Sequence, residues 1–153
     1  MPIKSFQGAR VQKQRSVVHL LVRDIMTSHL IVFRPEQTIH EVMEQFIKNR
    51  ISGGPVVDAA GNLIGVISEA DCMKQISESR YFNMPILDRS VANFMTTNVD
   101  TIDASKSIFE AASQFTKNNR RRFPVMENNK LVGQISRKDV VMAALKLQST
   151  TWH

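Results

Sequence analysis

The strongest constraint on this chain is that it repeats itself. Asp24-Ile25-Met26-Thr27 returns as Asn93-Phe94-Met95-Thr96, 69 residues later. The same spacing relates Thr38-Ile39-His40-Glu41 to Ser107-Ile108-Phe109-Glu110, and Pro55-Val56 to Pro124-Val125. Gly65-Val66-Ile67-Ser68-Glu69-Ala70-Asp71 then matches Gly133-Gln134-Ile135-Ser136-Arg137-Lys138-Asp139 at a spacing of 68. The missing residue falls between Glu127 and Lys130, opposite Asp58 to Asn62, in a turn where length changes are tolerated. Two copies of one supersecondary unit are therefore expected.

Each copy reads strand, helix, strand, strand, helix. Ile39, Val42, Met43, Phe46 and Ile47 follow helical spacing, and Thr38 with Glu41 forms a capping box ahead of them. Ser107, Glu110 and the face Ile108, Ala111, Ala112, Phe115 repeat the pattern. A strand is expected over Leu30 to Phe33. A hairpin is expected from Pro55-Val56-Val57 through a turn at Ala60-Gly61-Asn62 to Leu63 to Ile67. Closing helices are expected from Glu69 to about Ile76 and from Arg137 to about Leu147. Some sixty residues with one sheet face to cover are marginal alone, so the copies should pack together on shared apolar surface. The fold class is thus α+β (mixed α/β), with two tandem β-α-β-β-α repeats. The boundaries that follow are a basic extension over 1–21, a first repeat over 22–78, a connector over 79–90, a second repeat over 91–148 and a tail over 149–153.

Composition narrows the function classes. Cys72 is the only cysteine, so no internal disulfide or cysteine metal site is available and a cytoplasmic setting is expected. No apolar run reaches the roughly 18 residues that cross a bilayer, so no membrane role is expected. The net charge of +6 favours anionic partners. Lys4, Arg10, Lys13, Arg15 and Arg23 lie in an acid-free stretch, and Arg120, Arg121 and Arg122 form a second cluster. His19, His29, His40 and His153 sit in no catalytic or metal motif, and no phosphate-cradling glycine loop occurs, so the chain is expected not to be an enzyme and to hold no metal.

The string Asp24-Ile25-Met26-Thr27, the segment Gly54-Pro55-Val56-Val57-Asp58 and Gly65-Val66-Ile67-Ser68-x-x-Asp71 together resemble the cystathionine β-synthase-type (CBS) family, and the second copy matches independently. It departs in Asn93 for Asp24, Met126-Glu127 for Val57-Asp58, and Gln134 for Val66. The resemblance implies a pseudo-twofold pair with two nucleotide sites in the cleft between the repeats, a regulatory role, and a homodimer serving some unidentified regulated protein. It implies as ligand an adenine nucleotide (AMP, ADP or ATP) or S-adenosylmethionine, with no required cofactor. Each site would take Ser-x-x-Asp from one copy and the strand after Met-Thr from the other. The Asp would accept from ribose hydroxyls, while the Ser hydroxyl and the first N–H groups of the closing helix would meet phosphate. The same Ser and Asp are also ordinary helix N-terminal signals.

Carried onto this chain, site A comprises Thr27, Leu30, Val32, Arg121, Arg122, Gln134, Ser136, Arg137, Lys138 and Asp139. Site B comprises Ser52, Gly53, Val66, Ser68, Asp71, Thr96, Val99 and Thr101. Site A has arginines where site B has Ser52 and Gly53, and Arg137-Lys138 where site B has Glu69-Ala70, so site A is the better phosphate site. Nucleic acid binding through the basic arm and Arg120 to Arg122 is the runner-up. It lacks the aromatic interleaving of a single-strand platform, with one Trp and one Tyr in the chain. A ligand-free dimerisation module is the third reading.

Overall fold

The computed structural model describes residues 20–82 and 89–151. Most of the expected basic extension, residues 83–88 of the expected connector and the last two residues lie outside that range. In chain order the elements are α1 (Val22–Ile25), α2 (Ile39–Asn49), β1 (Gly53–Val57), β2 (Leu63–Ser68), α3 (Glu69–Phe82), α4 (Val91–Phe94), β3 (Ile102–Asp103), α5 (Ile108–Asn118), β4 (Arg122–Glu127), β5 (Lys130–Ser136) and α6 (Arg137–Thr151). They fall into two compact units: unit 1 takes the residues up to Ser28 together with those from Asp100 onward, and unit 2 is His29–Val99. Each unit therefore combines the strands and long helices of one repeat with the lead-in segment of the other.

Unit 2 is built outward from a hairpin. β1 and β2 pair antiparallel from Gly53 opposite Ser68 to Val57 opposite Leu63. Their turn is held by the Asp58 carboxylate, which accepts from the N–H groups of Ala60 at 3.0 Å and Asn62 at 2.9 Å. The Asn62 bonds hold the Asp58 carboxyl below its ordinary range. Gly61 takes the positive φ of 86° that the turn needs. Phe33 bridges Val56 in parallel on one side of the hairpin, and Thr96 bridges Val66 antiparallel on the other. α2 starts where Thr38 Oγ1 accepts from the Glu41 N–H at 3.1 Å and ends at Arg50 in the left-handed region. It buries Ile39, Val42 and Phe46.

Unit 1 repeats this plan in a three-stranded sheet of order β3-β4-β5, with Thr27 bridging Gln134 at its far side. Ser107 Oγ accepts from the Glu110 N–H at 3.1 Å to start α5. Val22 N–H donates to Lys106 O at 2.7 Å, and Ile108 N–H donates to Leu20 O at 3.2 Å, tying the lead-in beside that helix start.

The two cores solve one packing problem in two ways. In unit 2 the core is Phe33, Val56, Ile67, Val91 and their neighbours, with Phe33 meeting Phe46 edge to face at 5.5 Å. A side chain at Gly54 would strike Phe33 Cε2 at 2.9 Å. In unit 1 the position matching Phe33 is Ile102, the one matching Gly54 is Phe123, and Phe123 supplies the partner for Phe115 at 4.4 Å. Each unit keeps one aromatic pair, drawn from different strands, so total volume is held while its source changes.

Two expectations change. The strand over Leu30 to Phe33 shrinks to Phe33 alone, whose N–H and carbonyl bond Pro55 O and Val57 N at 2.9 Å each, and its counterpart β3 has two residues. α3 runs on to Phe82 and α6 to Thr151, past the expected ends near Ile76 and Leu147. The first residues of the expected connector are therefore helical. The Met-Thr lead-ins, to which the sequence assigned no element, each open with a single helical turn, α1 and α4.

Candidate functional site

Ile135 has no exposure in the core of unit 1. Because successive strand residues point to opposite faces, Gln134 and Ser136 stand on the other face of β5. Pro124 and Arg122 lie opposite them on β4. Thr27 joins from the lead-in: its N–H donates to Gln134 O at 2.8 Å, and the Gln134 N–H donates to Thr27 O at 2.9 Å.

At Ser136 strand gives way to helix. The Ser136 N–H donates to Asp139 Oδ2 at 2.8 Å, and the Asp139 N–H donates to Ser136 Oγ at 3.1 Å. This reciprocal pair closes the start of α6 as a capping box does. The Arg137 N–H donates to Arg121 O at 3.1 Å. Two of the N–H groups expected to meet a phosphate are thus already engaged within the protein, which shifts that task to the Lys138 N–H and to the side chains around it. Arg121, Arg137 and Lys138 are exposed, while Arg122 and Asp139 are half-buried.

Unit 2 makes the same turn with one change. The Ser68 N–H donates to Asp71 Oδ2 at 2.8 Å, and here the Ser68 hydroxyl also donates to that oxygen, at 3.0 Å. The Glu69 N–H donates to Ser52 O at 3.0 Å, and Val66 and Thr96 exchange bonds of 2.9 Å. Asp71 is buried, with 5% exposure.

Of the residues assigned to site A, Thr27, Arg121, Arg122, Gln134, Ser136, Arg137, Lys138 and Asp139 belong to unit 1, and Leu30 and Val32 to unit 2. Of those assigned to site B, Ser52, Gly53, Val66, Ser68, Asp71, Thr96 and Val99 belong to unit 2, and Thr101 to unit 1. Arg120, the outermost of the three arginines, is turned to Asp100, with Nε 3.0 Å from Oδ2.

The residue behind Asp71 is the lone cysteine. Cys72 is 1% exposed, and burial, reinforced by Asp71 and Glu69, pushes its thiol up from 9.0 to about 11. A thiol held neutral in a core is no nucleophile. Native protein should therefore react with iodoacetamide only as fast as it unfolds, and a burst of labelling at pH 8 would contradict this placement. As pH rises above 9 the unfolded chain loses this proton first. The Cys72 contribution to stability is thus fully present below pH 9 and is lost toward pH 11. On the same helix Gln75 and Ser79 are buried, and Gln75 Oε1 has no hydrogen-bond partner among the described residues, where unit 1 carries Ala143 and Leu147.

Neither turn contains a histidine. His40, on the exposed side of α2, is paired with Glu44. Among the described residues no three His, Cys, Asp or Glu side chains are placed to share a metal ion, and no helix is long and apolar enough to cross a membrane. A shallow apolar cleft of about 400 Å³ runs along α2, lined by His40, Met43, Glu44, Ile47 and Lys48 and by no residue of either site.

A family model described as CBS domain matches residues 22–78 and 91–146. An uncharacterized protein of Methanocaldococcus jannaschii is 29% identical over 155 residues, covering 82% of this chain and 92% of that protein. Other curated relatives are longer, and the chain spans 40% and 44% of two of them. Among solved structures, CBSX2 of Arabidopsis thaliana in complex with AMP is similar at 28% identity with a TM-score of 0.74, covering 84% of this chain and 98% of that one. The CBS domain pair of protein MJ0100, in complex with 5′-methylthioadenosine and S-adenosyl-L-methionine, is similar at 26% identity with a TM-score of 0.68, covering 82% and 96%.

Proposed function

The chain belongs to the CBS domain family, and on that footing we propose that it is a regulatory, non-catalytic module whose ligand is an adenosyl compound: AMP, ADP, ATP or S-adenosylmethionine. The observation that carries this reading is the serine and aspartate turn at the end of β5, repeated at the end of β2. In each, one carboxylate oxygen is bound to the turn itself. The other, Oδ1, is the natural acceptor for a ribose hydroxyl, a charge-assisted contact of the stronger kind. Two similar proteins hold adenosyl ligands, AMP in one and a thioether with its sulfonium relative in the other. A melting-temperature screen tests the reading. A ligand that binds only the folded chain stabilises it by about 2.7 kcal/mol at one hundred times its Kd. At least one of these compounds should raise the melting temperature in a concentration-dependent way, and a flat response to all of them contradicts the proposal.

The module also reads as a homodimer. Its large exposed apolar side chains concentrate on the long helices: Ile47, Met73 and Ile76 in unit 2, and Phe109, Val141, Met142 and Leu145 in unit 1. Ile47 is 82% exposed and borders the cleft along α2. Apolar surface concentrated in this way marks a protein contact. Sedimentation at micromolar concentration should report twice the 17.3 kDa chain mass. Ile47→Glu with Leu145→Glu should return it to the monomer, and a wild-type monomer contradicts this assembly. A partner protein that reads the bound state in the cytoplasm completes the proposal.

A further inference from the structure

The two turns carry opposite charge at matching places. Around Ser136, Arg137 and Lys138 occupy the first turn of α6, the Arg121 carbonyl accepts the Arg137 N–H, and Arg122 lies in register with Ser136. Arg121, Arg137 and Lys138 form no salt bridge with any described residue. Around Ser68 the same places hold Glu69, Ala70, Ser52 and Gly53. Glu69 opens a helix in the position the helix dipole favours for an acid, whereas Arg137 and Lys138 open one in the position it disfavours for a base. The cations of unit 1 also repel one another, an electrostatic cost that a bound anion would remove.

We propose that the two turns sort adenosyl ligands by charge: unit 1 takes adenosine that carries phosphate, and unit 2 takes an adenosyl group that carries none. This rests on the adenosyl reading given above. Arginine forks grip phosphate oxygens, and a carboxylate beside the turn repels them. Unit 1 then responds to the phosphorylated pool and unit 2 to a neutral or cationic adenosyl compound, so one chain reports on both.

Calorimetric titration of ATP, adenosine and S-adenosylmethionine tests this. Wild type should bind one ATP per chain, with an affinity that falls as salt rises while that for adenosine holds. Arg137→Glu with Lys138→Ala, which copies the unit 2 sequence, should weaken ATP at least tenfold and adenosine little. It should also raise the melting temperature of the ligand-free protein, a readout independent of binding. Glu69→Arg with Ala70→Lys should take ATP from one to two per chain. Two equal ATP sites in wild type, or a stoichiometry that neither swap changes, overturns charge sorting while leaving the adenosyl reading intact. Failure of all three compounds to bind wild type overturns the adenosyl reading itself.

Discussion

Gly133→Ala should lower the stability of the protein by about 1–3 kcal/mol, the usual cost of forcing an extra carbon into packed structure, and Gly133→Val by more. A Cβ at Gly133 would lie 2.6 Å from Met26 Sδ and 2.8 Å from Thr27 O. The methionine can swing aside, but the carbonyl cannot, because it accepts the Gln134 N–H at 2.9 Å and so holds the lead-in against β5. Gly65 faces Met95 Sδ and Thr96 O at 2.9 Å each, so Gly65→Ala should weaken unit 2 by the same route. Gly61 is the control. Nothing lies within 4 Å of the place a side chain would take, and its demand is only for a positive φ. Unit 1 meets that demand in its own hairpin with Asn128 and Asn129, at φ 52° and 63°. Gly61→Asn should therefore be close to neutral. Urea midpoints compare the three, and a Gly133→Ala protein as stable as wild type would mean that lead-in and strand do not meet as described.

Asp139→Asn should keep the fold and lose the ligand. Asparagine still offers an oxygen to the Ser136 N–H, so the start of α6 should shift by less than about 1 kcal/mol. What disappears is the charge on the acceptor for the ribose hydroxyls, a loss of about 1.5–3 kcal/mol, or roughly ten- to a hundredfold or more in affinity. Because the ribose is common to every adenosyl ligand, all those bound at this turn should weaken together. Ser136→Ala should instead cost stability, since it removes the oxygen that the Asp139 N–H bonds at 3.1 Å. If Asp139→Asn binds as tightly as wild type, Ser136 and Asp139 are a helix cap and nothing more.

Much of the fold was legible because strong local signals coincide with tertiary ones. Thr38 and Ser107 announced α2 and α5, and their helical spacing picked out the buried Ile39, Val42 and Phe46 and the buried Ile108, Ala111 and Phe115, though Ile47 on the same spacing is exposed. Where local and tertiary signals part, the reading slipped. Leu30 to Phe33 is apolar enough for a strand, yet only Phe33 reaches β1, and pairing is a property of the neighbour that an apolar run does not carry. α3 outlasted its expected end because Ser77 to Arg80 show no apolar periodicity, though nothing before Pro85 stops a helix. α1 and α4, at four residues each, are too short for any period to show. In the site, the Ser and Asp positions were plain from the repeat. That Arg121 O and Ser52 O would take up the first helical N–H groups was not, because those bonds join segments some sixteen residues apart that only the hairpin brings together.

The most direct test is a calorimetric titration of AMP and S-adenosylmethionine into the wild-type protein, with guanosine and uridine monophosphates as controls. Saturable binding of at least one adenosyl ligand is expected, at no more than two per chain, with the other bases binding far more weakly. No heat from either adenosyl ligand, or equal binding of all three nucleotides, would contradict it.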